Sequence, residues 1–221
     1  DEDESPLEDW EKHGDEVREQ VPQASVEALN DAMYDRVTGC NNFRSGLLVG
    51  MIKYLGAKSV LDFSGGWGDR LLGMLATGVR GTVVDPNPCV HEGYAEMIRE
   101  FGNGAAPTLI VSPFQTADLP DETYDLVFTS PPYFDLEIYA SDAAQSVVEF
   151  PGLDDWYNGF LLASLRKSWS VLNDGGHLVV IINNIRGGTD YVMRMVADVS
   201  GFDGADYEGV LPYAEKIIKP N

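Results

Sequence analysis

The chain is poor in cysteine and histidine, and this composition argues against a disulfide-rich protein and against a metal-binding protein. Its 221 residues include two cysteines, Cys40 and Cys89, and three histidines that are far apart. No disulfide framework or metal-site spacing is present, so we expect no metal, and two buried or half-buried thiols in a reducing compartment. No apolar run approaches the ~20 residues of a membrane span, and the acidic N-terminus does not resemble a secretory signal. We therefore expect a cytoplasmic protein with no membrane partner.

Basic residues are also scarce. The chain has 15 Lys and Arg against 36 Asp and Glu, a net charge of −21, of which residues 1–19 contribute −8 and the remainder −13. Such a field repels a polyanion unless basic groups are concentrated locally. Two explanations stay open: a substrate that is not nucleic acid, or a high-salt cytoplasm, where a Debye length of ~3 Å at 1 M screens self-repulsion. The low lysine content favours the second.

What the chain does contain is a regular alternation of strand-like and helix-like segments. This alternation is typical of an α/β protein with a doubly wound, mostly parallel sheet and helices on both faces. A further helix is predicted at Ala24–Arg36. Strands are predicted near 58–63, 81–84, 108–111, 124–129 and 177–183, and helices near 45–55, 68–77, 88–101, 153–171 and 188–199. Residues 173–176 (NDGG) predict a turn before the last of these strands.

A glycine-rich turn follows the first predicted strand. Residues 59–68 read SVLDFSGGWG and lead into the helix-like stretch DRLLGMLATG. Residues 81–87 (GTVVDPN) form a second apolar run that ends in Asp85. The order strand, glycine turn, helix, strand, acid is typical of a Rossmann-like nucleotide-binding unit.

The tetrapeptide Ser130-Pro131-Pro132-Tyr133 directly follows the apolar run YDLVFT. Each proline fixes φ near −65° and has no N–H, so the nearby carbonyls remain available as acceptors. The Ser130 hydroxyl and the Pro131 carbonyl could then hold a planar amino group while Tyr133 stacks on its ring. By itself, Pro-Pro after a strand more often starts a loop.

Together, these three motifs resemble those of class I S-adenosylmethionine-dependent methyltransferases, over roughly residues 40–200. The run 62–68 is similar to the family's cofactor loop, D-x-G-x-G-x-G, with Ser64 at the first glycine. Ser130–Tyr133 looks like the catalytic motif of amino-methyltransferases, in the serine form associated with DNA cytosine-N4 methylation. The resemblance implies a Rossmann-like fold that ends in antiparallel strands, for which there is room near 205–211 and 214–218.

The same resemblance implies that S-adenosyl-L-methionine is the cofactor. Gly66 and Gly68 would allow close backbone approach with positive φ. Asp62 would reach the cofactor's ammonium group through water, and Asp85 would bind the ribose hydroxyls; the alternative for both acids is a helix cap or turn.

Three other residues have two interpretations each. Phe114 packs either on the adenine or in the core. Trp67 either contacts the sulfonium by a cation–π interaction or packs on the N-terminal helix. Arg44 either pairs with the cofactor's carboxylate or is solvated.

The connection 134–152 is longer than the usual 2–6 residues between a strand and a helix. It follows the catalytic motif, where ligands bind in parallel sheets, so we predict a substrate lid; the alternative is a partly ordered surface loop. Its candidate substrate-binding residues are Phe134, Glu137, Tyr139 and Gln145.

The sequence therefore predicts an acidic, partly helical extension at 1–37, which suggests a fragment of a longer protein, and a methyltransferase domain at 38–221. The predicted substrate is an exocyclic amine of a nucleobase in DNA, with cytosine N4 ahead of adenine N6. Sequence recognition would then be short, supplied by a separate subunit, or absent. The protein would be cytoplasmic or nucleoid-associated. The alternatives are N-methylation of a small molecule, nucleoside or protein side chain, and a non-catalytic scaffold subunit.

Overall fold

The computed structural model describes residue 12 and residues 15–16, 43–103, 106–135, 145–184 and 190–211. The chain divides into two compact units, Asp1–Phe43 and Arg44–Asn221. The predicted helix Ala24–Arg36 and the predicted boundary between residues 37 and 38 lie outside the described residues. Both remain predictions, and the features below belong to the second unit.

A parallel sheet forms the centre of this unit. In the described residues it has five strands in the order β3-β2-β1-β4-β5, and every neighbouring pair is parallel. The chain runs outward from β1 to β3 and then crosses to β4, so the strand order reverses between β1 and β4. Ligands of such sheets bind outside the carboxyl ends of the strands at this switch point. The strands are β1 Ser59–Asp62, β2 Arg80–Asp85, β3 Thr108–Val111, β4 Tyr124–Thr129 and β5 Leu172–Val180.

Helices connect the strands and cover both faces of the sheet. Met74 packs against Gly81 of β2 on one face, whereas Leu61 of β1 belongs to a core cluster with Trp156 and Leu165 on the other. No described helix combines the length and apolarity needed to cross a membrane. The helices are α1 Ser45–Leu55, α2 Asp69–Thr77, α3 Pro88–Phe101, α4 Ser146–Glu149, α5 Leu153–Trp156, α6 Ala163–Ser170 and α7 Tyr191–Ser200, with a 3-10 turn at Phe114–Thr116 and a π-helical turn at Tyr157–Leu162.

The α/β class, the parallel sheet and its flanking helices are confirmed. The prediction of a C-terminal strand near 205–211 is wrong. The described residues 201–211 contain no strand. Gly204 and Gly209 have φ of 71° and 116°, which interrupt an extended backbone. Val210 and Leu211 are exposed, so no described element covers their apolar side chains. The second predicted strand, 214–218, lies outside the described residues.

The last strand begins earlier than predicted. Residues 173–176 (NDGG) were expected to form a turn before a strand at 177–183, yet β5 runs over Leu172–Val180 and includes them. Its pairing with β4 shifts register there, because Tyr124 pairs with Leu172 and Leu126 pairs with His177. The turn residues therefore form an irregularity inside the strand.

Cys89 is exposed and not buried as expected. It lies in the first turn of α3, where its backbone N–H donates to the side chain of the N-cap residue Asn87. This position faces solvent, away from the core. Cys40 lies outside the described residues.

Candidate functional site

The glycine loop between β1 and α2 has the positive backbone angles that its sequence predicted. Gly66 and Gly68 have φ of 55° and 90°, values that residues with a Cβ rarely adopt. Gly68 is the N-cap of α2, and its N–H donates to the Gly65 carbonyl at 3.1 Å. The loop thus turns sharply from the end of β1 into α2 and leaves Gly66 exposed at the carboxyl edge of the sheet.

A buried ion pair holds the start of this loop. Asp62 is fully buried, and its Oδ2 accepts a hydrogen bond from Arg70 Nε at 2.7 Å. Its Oδ1 accepts from the Ser64 N–H at 3.1 Å, and Arg70 Nη2 donates to the Ser64 carbonyl. The sequence prediction gave Asp62 a water-mediated contact with the cofactor, whereas the structure gives it a direct cationic partner.

Asp85 holds the middle of the loop from the end of β2. Its Oδ2 accepts from the Gly66 N–H at 2.8 Å and its Oδ1 accepts from the Asn87 N–H at 2.9 Å. Burial raises the pKa of Asp85, opposed by these two hydrogen bonds. Each carboxylate oxygen has a second lone pair, so Asp85 retains acceptor capacity beyond these two bonds, as its predicted ribose-binding role requires.

Helix α3 supports the loop from the side opposite solvent. Tyr94 is buried, and its hydroxyl donates to the Gly66 carbonyl. Burial raises the pKa of Tyr94, so this hydroxyl keeps its proton. A Cβ at Gly65 would lie 2.6 Å from Tyr94 Oη, and one at Gly68 would lie 2.8 Å from Met97 Sδ. These contacts explain why the loop needs small residues at both positions.

The Ser-Pro-Pro-Tyr motif lies beside this loop. It begins immediately after β4, and β4 is hydrogen-bonded to β1, whose end leads into the glycine loop. Neighbouring strands are about 4.8 Å apart, so the two motifs occupy the same edge of the sheet. Within the motif, Ser130 Oγ lies 3.4 Å from the Tyr133 hydroxyl. Pro131 is buried, while Ser130 and Tyr133 are half-buried.

Phe134, a predicted substrate-binding residue, is half-buried and packs on Trp156. Its contact with substrate remains a prediction. Its φ is 57°, the only positive value among described non-glycine residues. Its ring contacts the buried Trp156 edge-to-face at 5.7 Å between centroids. The indole N–H of Trp156 donates to Ser146 Oγ at 3.1 Å, and Tyr191 packs on the same indole at 5.6 Å. The Ser-Pro-Pro-Tyr motif is therefore followed directly by a residue that packs on an aromatic core.

The predicted lid is described only at its two ends. Residues 136–144, with Glu137 and Tyr139, lie outside the described residues. Gln145 is half-buried and precedes α4, and its Nε2 is buried without a hydrogen-bond partner among the described residues. The lid remains a prediction.

The other three predicted cofactor residues differ in burial. Phe114 is buried and stacks on Phe63 with centroids 4.8 Å apart, which favours the core alternative. Trp67 is 52% exposed. Arg44 is exposed at the start of α1.

Sequence reasoning missed Arg70 and Tyr94, the two side chains that bond to the loop's carbonyls. Neither belongs to the glycine motif. The available signals were an arginine in the first turn of α2, shortly after an acid-containing loop, and an aromatic residue on the apolar side of α3. Both signals are common in helices that only pack.

No protein-family model matches the sequence, and no curated protein does. Solved structures do match. A SAM-dependent methyltransferase from Agrobacterium tumefaciens is 20% identical with a TM-score of 0.50, over 71% of this chain and 48% of that one. An rRNA methylase from Streptococcus thermophilus is 14% identical with a TM-score of 0.50, over 79% of this chain and 92% of that one.

The chain has a Rossmann-like methyltransferase fold. The methyltransferase CcbJ from Streptomyces caelestis is also similar, at 19% identity and a TM-score of 0.46, over 62% of this chain. The chain spans 47% of the length of CcbJ, about the same share as of the Agrobacterium protein. In this fold, the glycine loop and the Ser-Pro-Pro-Tyr motif both lie at the strand-order switch point.

Proposed function

We propose that the chain is an S-adenosylmethionine-dependent N-methyltransferase that acts on an exocyclic amine of a nucleobase, with cytosine N4 as the first candidate. The observation that carries this proposal is the juxtaposition of two motifs on neighbouring strands. The glycine loop leaves β1 and the Ser-Pro-Pro-Tyr motif leaves β4, at the carboxyl edge of one parallel sheet. A cofactor on the first motif would present its reactive group to an amine held by the second.

The glycine loop fits the proposed cofactor. Gly66 is exposed and has no Cβ, so a ligand can approach its backbone closely. Asp85 is half-buried beside it and has acceptor capacity for two ribose hydroxyls. When bound, S-adenosylmethionine would supply an activated methyl group, and the protein's task would be to hold and orient the two reactants.

The catalytic motif supplies acceptors and an aromatic face. An exocyclic amine is a poor nucleophile because its lone pair is delocalised into the ring. Hydrogen bonds from that amine to Ser130 Oγ and the Pro131 carbonyl would favour a pyramidal nitrogen and stabilise the positive charge that develops on it. Tyr133 would stack on the ring, a contact worth roughly 1–3 kcal/mol for a nucleobase. A target in duplex DNA would have to be flipped out first.

The charge distribution supports a second candidate, an amine on a small molecule, a nucleoside or a protein side chain. The net charge of −21 opposes binding of a polyanion. Several described basic side chains also lie away from the motifs. Lys58 and Arg80 are at the amino ends of β1 and β2, and Arg99 is in the last turn of α3. These positions are at the opposite edge of the sheet from Ser130.

A scaffold subunit without activity is the candidate of a different class. The hydrogen bonds to Gly66 and the open approach to its backbone support an enzyme over a scaffold. Cofactor binding without methyl transfer to any substrate would favour the scaffold.

The test is transfer of a radiolabelled methyl group from S-adenosylmethionine to DNA, RNA, free nucleosides and a small-molecule extract, at low and high KCl. We expect incorporation into DNA that yields N4-methylcytosine on hydrolysis. Incorporation into nucleosides or small molecules alone would select the second candidate. Labelling of none of these acceptors would contradict the nucleobase assignment.

Two variants locate the reaction. Ser130→Ala and Tyr133→Ala should each lower turnover by about 100-fold or more, since both remove groups that orient the amine. The affinity for S-adenosylhomocysteine should stay within about twofold of wild type, because neither group lies on the glycine loop. Tyr54→Ala is the matched control, because Tyr54 is 83% exposed on α1. Full turnover in Tyr133→Ala would place the active site elsewhere.

A further inference from the structure

Asp62 is completely buried at the end of β1, and its charge has a partner within the protein. A buried carboxylate is unfavourable unless it is paired and hydrogen-bonded. Arg70, itself only 5% exposed, donates from Nε to Asp62 Oδ2 at 2.7 Å. The carboxylate therefore does not need a ligand to compensate its charge.

The pair also holds the Ser64 peptide group on both sides. The Ser64 N–H donates to Asp62 Oδ1 at 3.1 Å, and the Ser64 carbonyl accepts from Arg70 Nη2. The planar guanidinium has its donors in a fixed arrangement, so it can bind the carboxylate and the carbonyl at the same time. We use the name Ser64 clamp for Asp62, Arg70 and the Ser64 peptide.

The clamp lies directly upstream of the residues that a ligand would approach. Gly65 and Gly66 follow Ser64, and a Cβ at Gly66 would lie 3.9 Å from both Arg70 Nη2 and the Ser64 carbonyl oxygen. The direction of the Ser64 peptide therefore sets where the Gly66 backbone lies. The bonds to Gly66 come from Asp85 and Tyr94, and the Gly65 N–H donates to the Val84 carbonyl at 3.1 Å. The clamp is the side-chain ion pair that holds the Ser64 peptide at the β1 end of the loop.

We propose that Arg70 is a positioning residue for the amino-acid portion of the cofactor, and that Asp62 acts through Arg70 and not by contact with the cofactor's ammonium group. This proposal rests on the cofactor assignment made above. In this proposal the Asp62–Arg70 ion pair positions the loop, and Asp62 does not itself contact the cofactor.

Two ligands and a double-mutant cycle test it. Calorimetry measures binding of S-adenosylhomocysteine, which has the amino-acid portion, and of 5′-methylthioadenosine, which lacks it. Arg70→Met should weaken binding of S-adenosylhomocysteine by about tenfold or more, because the substitution leaves a buried carboxylate unpaired and releases the Ser64 carbonyl. Binding of 5′-methylthioadenosine should change by less than about threefold, because the loss is confined to the amino-acid portion.

The cycle distinguishes action through Arg70 from direct contact. The double variant Asp62→Asn with Arg70→Met should bind S-adenosylhomocysteine with the same affinity as Arg70→Met alone, within about threefold. The reason is that the effects of two residues that act as one unit do not add. The double variant also has no unpaired buried charge, which keeps a folded protein available for measurement. Arg70→Lys should recover only part of the affinity, because an ammonium lacks the planar fork. Arg99→Met is the control, an arginine that is exposed on α3.

The outcomes separate this proposal from the one on which it rests. Additive losses in the cycle, or equal losses for both ligands, would overturn the positioning role alone. Wild-type protein that binds neither ligand would overturn the cofactor assignment and this proposal together.

Discussion

The Asp85 carboxylate accepts a hydrogen bond of 2.8 Å from the Gly66 N–H and thereby joins the end of β2 to the glycine loop. Burial raises the pKa of this carboxyl group above its ordinary value. Its protonation on acidification therefore begins at a higher pH than for an exposed aspartate. Protonation weakens Asp85 as an acceptor for the loop and for ribose hydroxyls.

We therefore predict that affinity for S-adenosylhomocysteine is full above the folded-state pKa of Asp85 and falls as the pH drops through it. Asp85→Asn should weaken binding about tenfold at neutral pH, since a charged acceptor is lost, and should flatten the pH profile. The stability of the fold should depend on pH in the opposite direction. Because the folded-state pKa of Asp85 is raised, its contribution to the free energy of unfolding declines as the pH rises through that pKa. Calorimetry across the acidic and neutral range in which the protein stays folded checks the affinity profile, and an unchanged profile in Asp85→Asn would contradict it.

Gly65 should not tolerate a methyl group. A Cβ there would lie 2.6 Å from both Tyr94 Oη and Val83 Cγ1. Gly65→Ala should lower the free energy of unfolding by roughly 1–3 kcal/mol, the usual effect of overpacking. Gly93→Ala is the matched control on α3, where a Cβ meets nothing within 4 Å, and should raise stability by about 0.5–1 kcal/mol. Urea unfolding measures both, and similar changes in the two variants would be evidence against the packing of α3 on the loop.

Asp125 should stabilise the fold at neutral pH. Its Oδ2 accepts from the Lys58 N–H at 2.7 Å and its Oδ1 accepts from Asn173 Nδ2 at 2.7 Å. The hydrogen bond from the Lys58 backbone is the largest cause that lowers the pKa of Asp125. Because the folded-state pKa is lowered, the stabilisation is present above the unfolded-state value of about 3.9 and is lost as the pH falls through the folded-state pKa.

Asp125→Asn should therefore be less stable than wild type at pH 7, and the difference should shrink below about pH 4. Thermal unfolding at several pH values measures it, with the exposed Asp121→Asn as the control. A difference independent of pH would mean that the carboxylate charge is not what stabilises this position.

If the acidic composition is an adaptation to salt, thermal stability should keep rising with KCl. The net charge of −21 is spread along the chain, and self-repulsion decreases as the Debye length falls from ~10 Å at 0.1 M to ~3 Å at 1 M. We expect the melting temperature to increase up to and beyond 1 M KCl. A flat or falling melting temperature from 0.5 to 3 M would reject this explanation and favour a substrate other than nucleic acid.

The predicted lid can be tested through Gln145, whose buried Nε2 has no partner among the described residues. If the connection 134–152 closes over substrate, hydrogen exchange there should be fast with cofactor alone and slower when substrate is added. Gln145→Ala should raise the Michaelis constant for the acceptor several-fold, as expected from loss of one hydrogen bond. Protection equal to that of β1 before substrate is added, with an unchanged Michaelis constant, would contradict the lid.

Elements with clear sequence boundaries were predicted accurately. Helix α3 runs over Pro88–Phe101 as predicted, because Asn87 caps it, Pro88 begins it and Gly102 follows it. β5 was misplaced because its Asp174-Gly175-Gly176 signal belongs to an irregularity inside the strand and not to a turn before it. The strand near 205–211 was wrong because its apolar residues have no described neighbour to pair with.

The candidate site was predicted in outline only. Gly66, Gly68, Asp85 and the Ser-Pro-Pro-Tyr motif follow strands whose ends must meet at one edge of a parallel sheet, so sequence order was enough to bring them together. The partners of the loop depend on tertiary packing. The buried pairing of Arg70 with Asp62 and the contact of Tyr94 with Gly66 join residues whose spacing has no characteristic period.

The π-helical turn at Tyr157–Leu162 keeps the helical run between α5 and α6 in phase with the sheet. An α-helix rotates about 40° beyond a full turn for every four residues, so a stripe of residues spaced by four would drift away from a flat surface. Here the buried positions recur every four residues in two rows, and the aromatic and leucine members of both rows belong to one core cluster. A local π turn contains more residues per turn and takes up that drift. Deletion of one residue in this turn should rotate Trp156, on which Phe134 packs, relative to α6. The buried rows are Trp156, Phe160, Ser164 and Ser168, and Tyr157, Leu161 and Leu165.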